Sequence, residues 1–157
     1  MTDERILISI GSNIQPEKHI PAAVSRLAER FGPIRISNVY ETHPIGTSGN
    51  NFLNLAVEIH SGLPIEELKN EFLRKFETQL GRIRTANKFE SRTIDLDIVV
   101  YHGNVIDLDL FKYAHLAVPV AELAPDIFDP EQQHTLAELA ADFIRKDGIQ
   151  LKQAYWL

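Results

Sequence analysis

Two aspartates stand one residue apart in a branched, apolar run, SRTIDLDIVV over residues 91–100. Side chains alternate along a strand, so Thr93, Asp95 and Asp97 share one face while Ile94, Leu96, Ile98 and Val100 share the other. At roughly 3.3 Å rise per residue, the two carboxylates lie about 7 Å apart along the chain. Like charges held that close on a stiff strand either face solvent, as an ordinary outer surface, or have a cation between them. Magnesium suits the second reading, because it takes oxygen ligands and is commonly held by one or two carboxylates plus water and substrate phosphates. Arginines stand nearby: Arg82 and Arg84 follow Gly81, and Arg92 precedes the aspartates, so three guanidiniums and two carboxylates fall within 16 positions. Such a set suits a phosphate chain gripped by guanidiniums on one side and neutralised by metal on the other. Taken singly, each arginine could instead complement a helix C-terminus or pair with an aspartate.

The elements that must position these groups follow from periodicity and punctuation. Arg5 to Ile10 reads as a first strand ending at the turn Gly11-Ser12-Asn13. Ile20, Val24, Leu27, Ala28 and Phe31 recur at helical spacing up to Gly32-Pro33. Because Pro21 is tolerable only in a first turn, this helix is predicted to start near Lys18. Ile34 to Thr42 reads as a second strand, HPIGTSGNN as an irregular loop, and Phe52 to His60 as a third strand with Phe52, Asn54, Ala56 and Glu58 on one face. Pro64 opens a second helix with the stripe Ile65, Leu68, Phe72, Phe76 and Leu80, ended by Gly81. The aspartate strand then turns at His102-Gly103-Asn104 and returns through Val105-Ile106. The order βαββαβ predicts an α+β fold, a ferredoxin-like split βαβ antiparallel sheet with both helices packed on one face. Beyond residue 115 a C-terminal extension is expected: a short helical turn near Val120 to Ala124, a helix over Leu136 to Ile144, and a strand or tail at Ile149 to Trp156.

The chain has the length of one domain, 157 residues, and its 44% apolar and 24% charged content is ordinary globular composition, so one domain over 1–157 is expected. A net charge of −6 argues against broad attraction to nucleic acid or to an anionic membrane, so a bound anion must be met locally. With no cysteine, neither a disulfide framework nor a thiolate metal site exists. The acidic N-terminus enters an apolar run too short for a signal sequence or a membrane span, and a cytoplasmic location is expected.

The run GRIRTANKFESRTIDLDIVVYHG, residues 81–103, resembles the signature of the 6-hydroxymethyl-7,8-dihydropterin pyrophosphokinase family of the folate pathway. Gly11-Ser12-Asn13, Tyr40-Glu41-Thr42 with Pro44 and Gly46, Phe52-Leu53-Asn54 and Glu77 extend the resemblance in order, with a weaker echo in Pro119 and Glu122-Leu123-Ala124-Pro125. It implies transfer of diphosphate from ATP to a pterin alcohol with release of AMP. Asp95 and Asp97 would hold two magnesium ions against the ATP phosphates, and they would form the catalytic set with Arg82 and Arg92. Arg82, Arg84 and Arg92 would grip the triphosphate, with Glu77 and Lys112 on the ATP side and residues 82–92 closing over the site. Thr42, Pro44, Gly46 and Asn54 would meet the pterin edge while Phe52 stacks on its ring; a core aromatic is the alternative for Phe52. The partners implied are these small molecules, with a second copy of the chain or another folate-pathway enzyme as candidate protein partners.

The resemblance breaks in two places. The family's Pro-His-Pro run, later arginine and aromatic have no counterpart in DLDLFKYAHLAVPV, residues 107–120, where Tyr113 falls near the arginine and His115 near the aromatic. Lys112 is the only Lys or Arg between residues 93 and 144, and Phe89-Glu90-Ser91 replaces Trp-Gly-Pro. The pattern predicts a weakened nucleotide half beside a retained pterin half. A second reading follows, a catalytically weak paralogue that binds a pterin or a protein partner and regulates or scaffolds. Residues 108–118, acidic and apolar, are a candidate subunit contact.

Overall fold

The computed structural model describes residues 3–44, 49–83 and 91–157. Its central strand, β1 (Arg5–Ser12), is flanked on both sides by antiparallel partners, β4 (Phe52–His60) and β5 (Asp95–Tyr101). Outward from β4 come β3 (Val39–Thr42) and β9 (Gln150–Lys152), with β2 (Arg35–Ile36) also on β4, and outward from β5 comes β6 (Asn104–Val105). The order β5-β1-β4-β3 is that of a split βαβ sheet, as the sequence predicts.

Both faces of the sheet are buried, and different parts of the chain cover them. Ile6, Ile8 and Ile10 of β1 join Leu53, Leu55, Val57 and Ile59 of β4 in one core layer. Against it pack α1 (Pro16–Phe31) and the second helix. Leu7, Ala56 and Val99 face the other way, into a layer formed with α4 (Ala114–Leu123) and α5 (Leu136–Lys146). Each fully buried Ile, Leu or Val contributes about 1.5–3 kcal/mol, so covering the second face matters as much as covering the first. The expected helical turn near Val120 is thus a helix beginning at Ala114, with Pro119 inside it. The run 108–118 serves this core: Leu110, Phe111, Leu116, Ala117 and Val118 are buried within the chain, and Leu108 remains exposed. A small hairpin of β7 (Phe128–Asp129) and β8 (His134–Thr135) leads into α5.

Three local departures have physical causes. Helix α1 starts at Pro16, ahead of Lys18, because a proline preset for helical φ occupies the first turn and Gln15 enters with φ of 45°. Pro21 then lies one turn inside, forgoing a single backbone bond. The segment 34–42 is two strands: Arg35 opposes Glu58 and Ile36 opposes Val57, but Tyr40 opposes Asn54, which leaves one extra residue on the outer side. At that bulge Ser37 donates to the Asn38 carbonyl and accepts the Ala56 N–H, both at 2.8 Å.

The third departure is in the second helix. A first turn, α2 (Ile65–Glu67), runs through a π-helical segment (Leu68–Leu73) into α3 (Arg74–Gln79), and the Arg74 N–H reaches back five residues to the Lys69 carbonyl. The wider turn changes the phase of the stripe. Leu68 and Leu73, five apart, are both fully buried, and Glu77 follows them inward while Phe72 and Phe76 are only partly buried.

Candidate active site

Paired residues on antiparallel strands point to the same face, so the register assembles the site. Asp95 lies opposite Gly11 and Asp97 opposite Ser9. Across β1, Gly11 opposes Asn54, which in turn opposes Tyr40, and Phe52 opposes Thr42. The acids and the pterin-side residues thus occupy one face, separated by a strand whose nearest residues are glycine and serine. A Cβ at Gly11 would meet Asn54 Oδ1 at 3.3 Å and the Phe52 ring at 4.0 Å, so the missing side chain creates a trough there. Asn54, almost fully buried, donates to Thr42 Oγ1 at 2.9 Å and to the Tyr40 carbonyl at 3.4 Å.

On the acid side, Arg82 donates to the Ile94 carbonyl at 2.7 Å and to Asp95 Oδ1 at 3.1 Å, while Arg92 donates to Asp95 Oδ2 at 3.0 Å. The Arg92 guanidinium also stands 5.6 Å from the centre of the Phe52 ring, which ties the two halves together. Arg92 is placed by Asn13: the buried amide accepts its backbone N–H at 2.8 Å and donates to Ser91 Oγ and the Asn50 carbonyl, each at 3.0 Å.

Asp97 is held by Arg74, whose Nη2 donates to Oδ1 at 3.2 Å while Nη1 donates to Glu77 Oε2 at 2.9 Å and the Leu96 carbonyl at 2.8 Å. Glu77 accepts the Leu96 N–H at 2.7 Å. With its side chain 2% exposed, Glu77 stands beneath the aspartate strand, facing the protein. Lys112 is exposed at the end of the 3₁₀ turn Leu108–Phe111, and Pro44 is half-buried just beyond β3. Arg84 and Gly46, expected at the triphosphate and the pterin edge, lie outside the described residues.

The electrostatics favour a cation. Burial, and then the charge of Asp95, push the Asp97 carboxyl up to about 7, with Arg74 pulling the other way. Burial opposes ionisation of Asp95 too, but the hydrogen bond from Asp97 and the Arg82 and Arg92 charges outweigh it and hold Asp95 below its ordinary value. The two acids thus shift in opposite directions, and a divalent ion between them would relieve the repulsion that drives them apart. The side chains are 20% and 41% exposed for Asp95 and Asp97, so solvent reaches both. Among the described residues no group of three or more His, Cys, Asp or Glu is placed to hold a metal. A two-carboxylate oxygen set fits magnesium that takes its other ligands from water and phosphate. His115 lies within electrostatic reach of Asp95, Arg92 and Asp109, and burial lowers its imidazole to about 4, so it is neutral at neutral pH. Its ring tilts against Tyr113 with centres 5.6 Å apart.

Arg74, Asn13, Gly11 and His115 were not among the predicted site residues. Gly11 and Asn13 carry a visible signal, a Gly-Ser-Asn turn, but a turn alone does not say what it touches. Arg74 has none, since regular helical winding places it on the solvent side.

Comparison with known proteins identifies the family. The family model for 7,8-dihydro-6-hydroxymethylpterin-pyrophosphokinase (HPPK) matches residues 7–128. A 2-amino-4-hydroxy-6-hydroxymethyldihydropteridine pyrophosphokinase of Pseudomonas aeruginosa is 30% identical over 152 residues, covering 88% of this chain and 91% of the relative. The folic acid synthesis protein fol1 of Schizosaccharomyces pombe is 32% identical, covering 94% of this chain but 21% of its own length. Among solved structures, an HPPK-DHPS in complex with substrates superposes with a TM-score of 0.66 at 12% identity, over 90% of this chain and 43% of that one. A Plasmodium falciparum HPPK-DHPS with pteroate gives 0.62 at 10% identity, over 90% and 42%. At those identities the superpositions show the fold; with the matched residues and the P. aeruginosa relative, the chain belongs to the 7,8-dihydro-6-hydroxymethylpterin-pyrophosphokinase family.

Proposed function

We propose that the protein transfers diphosphate from ATP to the hydroxymethyl group of 6-hydroxymethyl-7,8-dihydropterin in folate biosynthesis, releasing AMP. The observation that supports it most is the shared sheet face: Asp95 and Asp97 on β5 stand one strand away from Asn54, Thr42 and Phe52, with Gly11 leaving room between. In the reaction the pterin hydroxyl oxygen bonds to the β-phosphorus, the bond from that phosphorus to the α–β bridging oxygen breaks, and AMP leaves with that oxygen. The hydroxyl proton goes to solvent. Arg82 and Arg92 orient the triphosphate and meet the charge that builds on it. Asn54 and Thr42 fix the pterin edge, and Phe52 lies flat against its ring. Two magnesium ions, held by Asp95 and Asp97, would neutralise the phosphates when bound.

The missing Pro-His-Pro run places the shortfall on the nucleotide side. Each absent charged hydrogen bond weakens ATP by roughly 1.5–3 kcal/mol, about one to two powers of ten in affinity. His115, neutral at neutral pH, adds no cation there. The fol1 relative, of which this chain matches 21%, supports another folate-pathway enzyme as a neighbour. No helix among the described residues is long and apolar enough to cross a membrane.

The test is AMP release from MgATP with the pterin alcohol present. Turnover by the parent and its loss in Asp97→Ala are expected; equal traces from the two proteins would remove the enzyme reading. Arg92→Ala should lower kcat by 10-fold or more, on the order of one lost charged hydrogen bond, while Phe52→Ala should mainly raise KM for the pterin.

A further inference from the structure

We propose that Arg74 is a positioning residue that sets Asp97 for divalent-cation binding, a role that rests on the reading of Asp95 and Asp97 as metal ligands. The aspartate strand has an unusual outer edge. Strand β6 pairs with β5 at Val100 and Tyr101, three and four residues beyond Asp97. Between the aspartates, side chains take the place of a neighbouring strand. The Leu96 N–H goes to Glu77 at 2.7 Å and the Leu96 carbonyl accepts from Arg74 at 2.8 Å. One turn of helix thus clamps the backbone at the residue that separates the two acids, and the same guanidinium reaches out to Asp97 Oδ1 at 3.2 Å.

Arg74 Nη1 serves both Glu77 and Leu96 and Nη2 serves Asp97, so its described contacts face the protein. Its anchor, Glu77, is buried. Holding one oxygen of Asp97 from the helix side fixes the rotation of the carboxylate, which decides where its lone pairs point. Partners that orient a ligand in this way typically affect metal affinity by about 10- to 100-fold. A lysine would keep the charge, yet a single ammonium on a flexible stem cannot reproduce a planar fork that spans Glu77, the Leu96 carbonyl and Asp97.

The test titrates Mn2+ as a paramagnetic stand-in, followed by electron paramagnetic resonance, into protein with α,β-methylene-ATP, whose α–β bridge cannot be cleaved. Arg74→Gln should weaken Mn2+ binding by about 10- to 100-fold, with Arg74→Lys between it and the parent. Pterin affinity measured by calorimetry should stay at the parental value in both, which a general loss of structure would not allow. In turnover, Arg74→Lys should raise the Mg2+ concentration for half-maximal rate and leave KM for the pterin unchanged. Equal Mn2+ affinity in the parent and Arg74→Gln would overturn the role of Arg74 alone. A parent that binds no Mn2+ would overturn the metal reading itself, and this role with it.

Discussion

At the scale of single residues, the chemistry was legible where the strand period fixes direction. Asp95 and Asp97 do share a face, and Asn54 and Phe52 do stand opposite Gly11 and Thr42. What the sequence could not show is which residues a turn or a buried amide grips. Asn13 joins three separated segments, and nothing local to it says so. Asn13→Ala should therefore lower turnover, because it removes the side-chain bond to the Arg92 N–H while the Asn13 N–H still reaches the Arg92 carbonyl at 3.2 Å, and it should move Mn2+ affinity less than Arg74→Gln does; steady-state kinetics beside the Mn2+ titration will check this. His115 makes a pH prediction. Its folded value lies below its ordinary 6.5, so the unfolded chain binds more protons between the two. Stability contributed by the neutral ring is complete above about pH 6.5 and declines as pH falls toward about 4. In the ligand-free protein the His115 ring proton signals should hold constant from pH 8 to about 5 by NMR. His115→Phe should lessen the loss of stability over the acid range; an unchanged acid limb would contradict the assignment.

At the scale of elements, regular periods were read well and interruptions were not. Strand β4 matches its predicted bounds, and the hairpin after β5 turns at His102 and Gly103, both with positive φ as a tight two-residue turn requires. The break in 34–42 was hidden because an inserted residue leaves the composition of the strands unchanged. The π-helical segment was hidden for a related reason: the stripe Leu68, Phe72, Phe76 and Leu80 is a good regular pattern, yet the wider turn favours Leu73 and Glu77. Helix α5 starts with a capping box that was likewise not predicted. The Thr135 hydroxyl accepts the Glu138 N–H at 3.2 Å, and the Glu138 carboxylate accepts the Thr135 N–H at 2.9 Å. Thr135→Ala should cost roughly 1 kcal/mol in chemical denaturation with little effect on turnover. The Thr135 N–H, and then its hydroxyl, donate to the Glu138 carboxylate and hold it below its ordinary value, so its contribution is present at neutral pH and is lost as pH falls through that lowered value. Glu138→Gln should flatten that part of the acid limb.

At the scale of the whole molecule, the split βαβ sheet followed from element order, but the covering of its second face did not. Helix α5 falls where a helix over Leu136 to Ile144 is expected, but α4, apolar nearly all round, has no stripe to reveal that the two complete a second core layer. That layer and the site lie on one continuous sheet surface. Moving along β1 from Leu7 to Ser9 to Gly11, the cross-strand neighbours change from Val100 and Glu58 through Asp97 and Ala56 to Asp95 and Asn54. The enzyme thus grades from ballast to instrument within five residues, and damage to it should be graded likewise. Leu7→Ala should destabilise by about 2–5 kcal/mol and leave ligand affinities intact in whatever fraction stays folded. Gly11→Ala should leave the melting transition nearly where it was, yet crowd Asn54 and shut out the pterin. A molecule poisoned at one end of a strand and crippled at the other would give inhibitor design a foothold: filling the hollow beside Gly11 mimics a methyl group and spares the scaffold.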